Sequence, residues 1–344
     1  MTTHDGPLLR VQALTKEFGR AGFPWSRRRS VVHALSEVSL SVEAGKTLAI
    51  VGESGSGKTT LGRCVMRLYE ATSGHVWFEG QDVMALDRRA LRVMRRDLQM
   101  VFQDPSSSLN PRMTVEQIVR EPLDIHDIGH SRADRRARVL ELLANTGLPA
   151  SALTRRPHEF SGGQRQRIGI ARALASRPKL IVADEPVSAL DVSIQAQIVN
   201  LFSDLQKAQG LALLFISHDL KVVRYLAQEV AVMYLGQIVE VGPTEALFAA
   251  PAHPYTRALL SAVPRVDPTS RRLRVILDGD PPSPLAPPSG CRFHPRCSIF
   301  AELKDPRCTT EMPRLESHAS GHPHPQPSWK VACHHPGASP ELAG

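Results

Sequence analysis

The sequence predicts an α/β fold with a largely parallel sheet, and three observations support that prediction. Short apolar runs alternate with amphipathic stretches over about the first 250 residues, an order typical of strands and helices in a parallel sheet. A glycine-rich turn follows the run Leu48–Val51 and precedes a helical pattern, which is where phosphate-binding loops lie. Hydrophobic residues at 42% and charged residues at 22% exclude a wholly disordered, collagen-like or coiled-coil chain.

The predicted strands and helices follow one another in a regular order. The runs that predict buried strands are Leu48–Val51, Leu98–Phe102, Leu180–Ala183, Leu213–Ser217 and Val230–Met233. The stretches that predict helices are Thr59–Leu68, Arg132–Leu143, Gln164–Ala175, Ile194–Lys207 and Leu220–Leu226. An antiparallel β-layer at the front is expected over Val11–Leu14, Val38–Val42 and Val76–Glu79. Val38, Leu40 and Val42 alternate with serines, which is the period of a half-buried strand.

The composition changes near residue 250, which predicts a second region. Seventeen of the 27 prolines and four of the five cysteines follow that point. Proline excludes long helices and central strands, so stretches such as His322–Pro327 are expected to be irregular. A chain of 344 residues has room for about two domains. We therefore expect a nucleotide-binding domain at 8–248 and an irregular, cysteine-containing C-terminal extension at 249–344.

The net charge of +8 favours phosphate-bearing ligands, nucleic acid or an anionic membrane face. The basic residues are dispersed, with Arg27–Arg29 as the longest run, so a solvated surface is favoured over a nucleic-acid-binding stripe. Apolar stretches such as Leu211–Ile216 are far shorter than the ~20 residues of a membrane helix. Met1–Pro7 lacks a secretory signal pattern. A soluble chain is expected, with any membrane role exerted through a partner.

The glycine-rich turn fits the phosphate-loop pattern G-x-x-x-x-G-K-[ST]. Its glycines allow backbone N–H groups to surround phosphate oxygens, and the following helix N-terminus adds a partial positive charge. Lys58 is expected to reach the β- and γ-phosphates, and the Thr59 hydroxyl is expected to bind Mg²⁺. The expected nucleotide-binding residues here are Gly52, Glu53, Ser54, Gly55, Ser56, Gly57, Lys58, Thr59 and Thr60.

Polar side chains at the ends of three other strands predict the rest of the site. Asp184 and Glu185 follow an apolar run, and a parallel sheet brings such strand ends to the ligand crevice. Asp184 suits Mg²⁺, and Glu185, one residue further, suits a base that polarises the attacking water. His218 is expected to contact the γ-phosphate. Gln103 has a neutral amide that suits contact with Mg²⁺ or water.

Together these motifs resemble those of the ATPases of ABC transporters. Phe160-Ser161-Gly162-Gly163-Gln164 is similar to the family's signature motif, with Phe160 where the family has leucine. Six family motifs occur in the family's order: the phosphate loop, Gln103, the signature, Asp184-Glu185, Ser188-Ala189-Leu190-Asp191 and His218. The resemblance implies the phosphate-loop ABC-ATPase fold, with a parallel-sheet core, an antiparallel β-subdomain and a helical signature subdomain at about 104–175.

The resemblance also implies an active site divided between two subunits. Ser161, Gly162, Gly163 and Gln164 are expected to form a second phosphate cradle at a helix N-terminus, closing on ATP held by the opposite subunit. Asp191 is expected to couple the two sites across the dimer. In the family, adenine stacks on an aromatic side chain before the phosphate loop. Phe18 is the expected residue, with Phe23 and Trp25 as alternatives.

Further motifs resemble the oligopeptide/dipeptide permease ATPases, and most closely the second of their two paired subunits. The matching segments are Phe102-Gln103-Asp104-Pro105, Leu109-Asn110-Pro111-Arg112-Met113, the stretch 186–197, His253-Pro254-Tyr255-Thr256 and Pro287-Pro288-Ser289-Gly290-Cys291. This resemblance implies a second ATPase subunit, two integral membrane permeases and an extracytoplasmic solute-binding protein as partners. Asp104–Val119 is expected to dock the membrane subunits.

The C-terminal cysteines predict a metal site. Cys291, Cys297, Cys308 and Cys333 do not have the paired spacing of common zinc sites, and a cytosolic chain should not rely on disulfides. Four thiolates on irregular loops suit a 4Fe-4S cluster, which the resembled subfamily carries at such cysteines. Zinc, or no metal, are the alternatives. The histidines that lie close enough in the sequence to replace one cysteine ligand are His294, His334 and His335.

The expected function is ATP hydrolysis, with Mg²⁺, coupled to uptake of peptides or similar small solutes at the cytoplasmic face of the membrane. Nickel or another small solute is an alternative substrate. A soluble ABC ATPase acting on nucleic acid or the ribosome is a second hypothesis, but no coiled-coil insertion or second ATPase domain supports it. A non-hydrolysing regulatory subunit is a third, and it is opposed by the presence of Glu185 and His218.

Overall fold

The computed structural model describes residues 6–19, 31–188, 190–262, 277, 279–318 and 329–338. The strands are β1 (Leu9–Gly19), β2 (Val31–Val42), β3 (Thr47–Val51), β4 (Ser73–Phe78), β5 (Gln81–Asp82), β6 (Leu98–Val101), β7 (Leu180–Asp184), β8 (Ala212–Ile216), β9 (Glu229–Tyr234), β10 (Gln237–Pro243), β11 (Glu316–Ser317) and β12 (Lys330–Val331). The α-helices are α1 (Lys58–Val65), α2 (Arg88–Met94), α3 (Pro105–Ser108), α4 (Val115–Ile125), α5 (Arg132–Asn145), α6 (Gly162–Leu174), α7 (Val192–Gln209), α8 (Leu220–Leu226), α9 (Thr244–Ala249), α10 (Pro254–Ser261), α11 (Ser298–Leu303) and α12 (Arg307–Thr310).

The main sheet has eight strands in the order β11-β12-β10-β9-β3-β8-β7-β6. From β9 to β6 all neighbours are parallel, as the alternation of strands and helices predicts. The other edge is antiparallel, so the expectation of a largely parallel sheet is corrected to a mixed sheet. The reason is the tight turn between Tyr234 and Gln237, where Leu235 and Gly236 both have positive φ. A two-residue turn of this kind can only return the chain antiparallel.

Alternate residues of the parallel strands pack into two different apolar cores. In β3, Leu48 and Ile50 belong to one core, and Ala49 and Val51 belong to the other. All five residues of β3, β7 and β8 are buried, because helices or the β-layer cover both faces of the sheet. Each fully buried Leu or Ile contributes about 1.5–3 kcal/mol to folding relative to an exposed one. This packing fixes the strand ends that carry the polar side chains.

The front β-layer is a second sheet of four strands in the order β2-β1-β4-β5, antiparallel throughout as predicted. Residues 105–174 contain α3 to α6. α4 begins with a capping box in which the Thr114 hydroxyl accepts from Gln117 N–H and the Gln117 side chain accepts from Thr114 N–H. The helix α4 was not among the predicted helices, although its buried residues Val115, Ile118, Val119 and Leu123 recur at helical spacing.

The cysteine segment, defined as residues 279–318 and 329–338, packs against the main sheet. β12 pairs with β10, and Trp329 beside it is buried. The buried carboxylate of Glu240 in β10 accepts hydrogen bonds from Trp329 Nε1 at 3.0 Å and from the N–H groups of Ala252 and His253, each at 2.9 Å.

The stretch 322–327 lies outside the described residues. Across the described part of the chain, no helix has the length and apolar character that a membrane crossing requires.

Candidate functional site

The phosphate loop lies between β3 and α1 and depends on glycine at two close approaches. Gly52 has φ +152°, and a Cβ there would lie 2.1 Å from the Met233 carbonyl oxygen. Gly57 has φ +106°, and a Cβ there would lie 2.5 Å from the Ala34 carbonyl oxygen. Any other residue would force the backbone apart. The loop is therefore seated against β9, while its tip at Ser54 and Gly55 is exposed.

Lys58 opens α1 and folds back over the loop. Its Nζ donates to Gly52 O at 2.9 Å, Glu53 O at 2.8 Å and Ser56 Oγ at 3.3 Å. The side chain is 4% exposed, and burial lowers the pKa of its ammonium group, against the opposing effect of the nearby carboxylates. The arrangement places a concentrated positive charge where the loop's N–H groups gather, which suits a phosphate.

Thr59 and Asp184 meet at the carboxyl end of β7. Thr59 Oγ1 donates to Asp184 Oδ1 at 2.9 Å. Asp184 is 1% exposed, and burial raises the pKa of its carboxyl group, with the Thr59 hydrogen bond acting in the opposite direction. A hydroxyl and a carboxylate oxygen held together in this way are the hard oxygen donors that suit Mg²⁺. Thr60, the next residue, lies half-buried in α1.

Three polar residues follow the neighbouring strands β6, β7 and β8: Gln103, Glu185 and His218. The side chains of Gln103 and His218 both approach one carboxylate oxygen of Glu185. Gln103 Nε2 donates to Glu185 Oε2 at 2.9 Å, and His218 Nδ1 lies 3.3 Å from the same oxygen. Glu185 has φ +43°, an uncommon conformation for a non-glycine residue, and its N–H donates to Ile216 O at 3.0 Å. The sequence predicted these residues at one sheet edge, and the direct contact of Gln103 with Glu185 is an added finding.

The signature residues cap α6. Ser161 Oγ accepts from Gln164 N–H at 3.3 Å, and Gln164 Oε1 accepts from Ser161 N–H at 3.1 Å. A Cβ on Gly162 would meet open space, whereas one on Gly163 would lie 2.9 Å from the Ile194 side chain. Phe160 is buried in the core, so it fills an apolar position. Ser161 is exposed.

Two further expected residues lie on separate elements. Asp191 caps α7, with its Oδ1 accepting from Ile194 N–H at 3.0 Å, and the following Val192 is 81% exposed. Phe18 lies near the end of β1 and is 36% exposed, with its ring edge-on to Tyr69 at 5.4 Å. The alternatives Phe23 and Trp25 lie outside the described residues, as does Ala189.

Glu53 has two partners that the sequence analysis missed. Its N–H donates to the Tyr255 hydroxyl at 2.9 Å, and its carboxylate pairs with Arg296 at 2.9 Å. These partners are 202 and 243 positions away along the chain. Tyr255 belongs to the noted His253-Pro254-Tyr255-Thr256 motif, which was the only sequence signal of such a contact.

The four C-terminal cysteines line one small cavity, together with His253, Pro254, Phe293, His294, Ile299, Phe300, His334 and His335. Burial raises the pKa of each of the four thiols, to about 11 for Cys291 and about 12 for Cys333. Among the described residues, no group of three or more His, Cys, Asp or Glu side chains is arranged to hold a metal ion.

The four histidines around this cavity differ in their contacts. One ring nitrogen of His294, His334 and His335 lies within hydrogen-bond distance of Cys291 O, Glu311 O and Asp305 Oδ2, respectively. The fully buried His253 accepts from Tyr255 N–H at Nδ1, so its neutral ring carries the proton on Nε2. That Nε2 has no hydrogen-bond partner within the described part of the chain.

Comparison with known proteins identifies the family. Residues 35–188 match the family model described as ABC transporter, and residues 239–302 match the one described as oligopeptide/dipeptide transporter, C-terminal region. A probable peptide ABC transporter ATP-binding protein of Sinorhizobium fredii is 52% identical, over 95% of this chain and 89% of that protein. The oligopeptide transport ATP-binding protein AppF of Bacillus subtilis is 48% identical, over 95% of this chain and 97% of its own.

Solved structures agree with this result. The dimeric ATP-binding cassette MJ0796, in a post-hydrolysis state bound to ADP and Pi, superposes with a TM-score of 0.63 and 31% identity. The match covers 98% of that chain but 69% of this one. The chain therefore belongs to the ABC transporter family of ATPases, in the group that carries the oligopeptide/dipeptide transporter C-terminal region.

Proposed function

We propose that this chain is the ATP-hydrolysing subunit of an importer for peptides or similar small solutes. The observation that carries the proposal is the meeting of Thr59 with Asp184, and of Gln103 and His218 with Glu185, at one edge of the parallel sheet. Peptides as substrate are supported by the names of the relatives, and nickel or another small solute is the alternative. The solute is selected by the partners rather than by this edge.

The proposed reaction is attack of water on the γ-phosphorus of ATP, giving ADP and phosphate. The loop N–H groups and Lys58 bind the phosphates, and Lys58 exchanges its bonds to Gly52 O and Glu53 O for phosphate oxygens. Glu185 polarises the attacking water as base. His218 contacts the γ-phosphate, and Gln103 reports its presence to the helical region. Phe18 stacks on adenine.

Thr59 and Asp184, with Gln103, are the residues that would hold Mg²⁺. Their oxygen and amide groups fit this ion, which neutralises charge on the β- and γ-phosphate oxygens when bound. Thr59 and Asp184 already lie within hydrogen-bond distance of each other, so little rearrangement is needed to bring both to one ion.

We place the second half of each active site on a partner subunit. Ser161, Gly162, Gly163 and Gln164 form the phosphate cradle, and Asp191 lies in the loop that joins the two sites. Supporting observations are the exposed Ser161, the open space at Gly162 and the dimeric state named for the solved relative. A domain division at 8–248 and 249–344, with a helical subdomain at 104–175, accompanies this proposal.

The cysteine segment suits a 4Fe-4S cluster held by Cys291, Cys297, Cys308 and Cys333, and zinc is the less favoured ion. Four cysteine thiolates are the ligands that would hold such a cluster. Two observations fit: the four thiols line one cavity, and the unpartnered His253 Nε2–H lies in its wall, where a sulfur could accept from it. When bound, the cluster would supply a cross-link between loops.

The proposed partners are a second ATPase subunit, two integral membrane permeases and an extracytoplasmic solute-binding protein, with this chain peripheral on the cytoplasmic face. No nucleic-acid partner is expected. The expected docking stretch Asp104–Val119 leads into an open groove lined by Arg92, Met113, Gln117, Arg120, Glu121, Asp124 and Ile125. We extend the docking surface to this groove, where the apolar Ile125 is 45% exposed.

Isolation of the tagged chain from detergent-solubilised membranes of its own cells tests this proposal. Two integral membrane subunits should co-purify, and Ile125→Glu should remove them while ATP binding remains. Leu303→Glu is a matched control, because Leu303 is a similarly exposed apolar residue on α11 of the cysteine segment. Co-purification of nucleic acid or ribosomes, with no membrane subunit, would instead favour the soluble ATPase hypothesis.

A further inference from the structure

The cysteine segment contacts the phosphate loop at the acidic residue of that loop. Arg296 Nη1 lies 2.9 Å from Glu53 Oε2, and its Nη2 lies 3.3 Å from Oε1, a two-pronged pair. The Arg296 side chain is 7% exposed and that of Glu53 is 29% exposed. This pair is thus better shielded from solvent than an ordinary surface pair. Arg296 directly precedes Cys297, so the cysteine cavity and the phosphate loop are joined by one residue.

A second arginine beside a cysteine reaches the same loop through a turn. Arg292, next to Cys291, donates to the Leu235 carbonyl oxygen, and the N–H of Gly236 donates to Ser56 O at 2.8 Å. The turn between β9 and β10 therefore connects this part of the cysteine segment to the loop. The cysteine segment therefore contacts the loop in two ways. Arg296 pairs directly with Glu53, and Arg292 is connected to Ser56 through the turn.

Three packed aromatic rings lie behind the contact between Arg296 and Glu53. The ring of Tyr255 lies 4.7 Å from that of Tyr234 and 5.4 Å from that of Phe293, and all three are buried. The Tyr255 hydroxyl accepts from Glu53 N–H, so the loop backbone is fixed from the same side as its carboxylate. Packed rings have few alternative positions, and a displacement of the cysteine segment would therefore be transmitted to the loop.

The charge of Glu53 gives this contact a consequence for binding. Glu53 lies in the loop that is proposed to bind the phosphates, and its carbonyl oxygen accepts a hydrogen bond from Lys58 Nζ. An unpaired carboxylate at this position would repel a nucleoside triphosphate. The guanidinium of Arg296 neutralises that carboxylate and holds it to the side of the loop that faces the cysteine segment.

We propose that Arg296 is a positioning residue for the phosphate loop, through which the cysteine segment sets the affinity of the chain for nucleoside triphosphates. The inference rests on the proposed binding of ATP at the loop. It does not require that the cysteines hold a metal.

Titration of the purified full-length chain with a non-hydrolysable ATP analogue and Mg²⁺ tests the inference. Arg296→Met should weaken binding by about fivefold, the size expected for a partly shielded ion pair. The loss should shrink at high salt, because exposed carboxylate–phosphate repulsion is screened. Arg296→Lys should recover part of the affinity. Arg307→Met is the matched control and should bind as the wild type does, since Arg307 precedes Cys308 but pairs with Asp305 instead.

Glu53→Gln tests whether the charge of the unpaired Glu53 carboxylate, rather than damage to the fold, weakens binding by Arg296→Met. Combined with Arg296→Met it should restore binding to near the wild-type level, because no unpaired carboxylate remains. Equal affinity of wild type and Arg296→Met, or a double variant as weak as Arg296→Met alone, would overturn the inference. A wild type that binds no analogue would instead overturn the proposed function. If Arg296→Met does not fold, Arg296→Gln takes its place, since it keeps hydrogen-bond donors but loses the charge. It should weaken binding likewise, and wild-type affinity of this variant would overturn the inference.

Discussion

The edge of the parallel sheet and the cysteine segment achieve order in different ways. At the sheet edge, β3, β7 and β8 are buried along their whole length, and the polar side chains follow directly from their ends. In the cysteine segment the longest helix is α11, of six residues, and the strands have two residues each. The first region is held by fully buried strands. The second is held by a few buried side chains, such as Phe293, and by specific polar contacts such as Trp329 with Glu240.

This difference shows which region can stand alone. Hydrogen-bonded strands with apolar residues on both faces hold Asp184 and the following Glu185 at the sheet edge. The cysteine segment has only short helices and two-residue strands. Its order should therefore depend on what the cavity contains and on its contacts with the sheet and the phosphate loop.

The first prediction tests whether the catalytic site is complete within one chain. Ser161→Arg places bulk and charge at the exposed start of α6, where the ATP of a partner subunit would dock. Hydrolysis by the assembled transporter should fall by about a hundredfold, whereas nucleotide binding by the isolated chain should be unchanged. Phosphate release and equilibrium binding measure the two quantities.

Ser131→Arg is the control for this variant, since the Ser131 hydroxyl also accepts from the N–H three residues on, at the start of α5. Both variants lose about 1 kcal/mol of capping. An equal fall in hydrolysis in the two variants would show that Ser161 acts through helix stability and not across an interface.

A second prediction concerns the cluster proposed for the cysteine segment. Protein purified without oxygen should absorb broadly near ~400 nm, as iron–sulfur proteins do. Cys297→Ser should abolish this absorption and speed proteolysis of the cysteine segment, while the sheet-edge residues still hydrolyse ATP at least partly. Cys64→Ala is the control, because Cys64 is buried in α1 away from the cavity. Colourless protein with one zinc per chain, or with no metal, would exclude the cluster.

The smallest expected effect concerns docking of the cysteine segment. Trp329→Phe keeps a buried ring but removes the Nε1–H donor to Glu240. Local stability should fall by about 1–3 kcal/mol, since a buried acceptor loses one partner. Hydrogen exchange near β12 should increase with hydrolysis unchanged. Trp77→Phe in β4 should leave exchange at β12 as in the wild type, and an equal increase there would contradict a local contact.

The sequence was sufficient to predict most of the sheet edge. Glycine spacing, strand runs and their terminal carboxylates are local signals, and parallel strands necessarily bring Lys58, Asp184 and Glu185 together. The antiparallel edge was missed because its turn depends on a positive φ at Leu235. Leucine is not a residue type from which a turn is normally predicted. Arg296 and Tyr255 were missed because contacts between residues over 200 positions apart have no local pattern.

The most direct test of the account compares Glu185→Gln with Glu245→Gln, a surface glutamate paired with Arg224. Glu185→Gln should bind ATP as tightly as the wild type but hydrolyse it about 10²–10⁴-fold more slowly, accumulating a closed dimer. Glu245→Gln should match the wild type in both respects. Unchanged turnover by Glu185→Gln, measured as phosphate released per bound nucleotide, would contradict the assignment of Glu185 as the base.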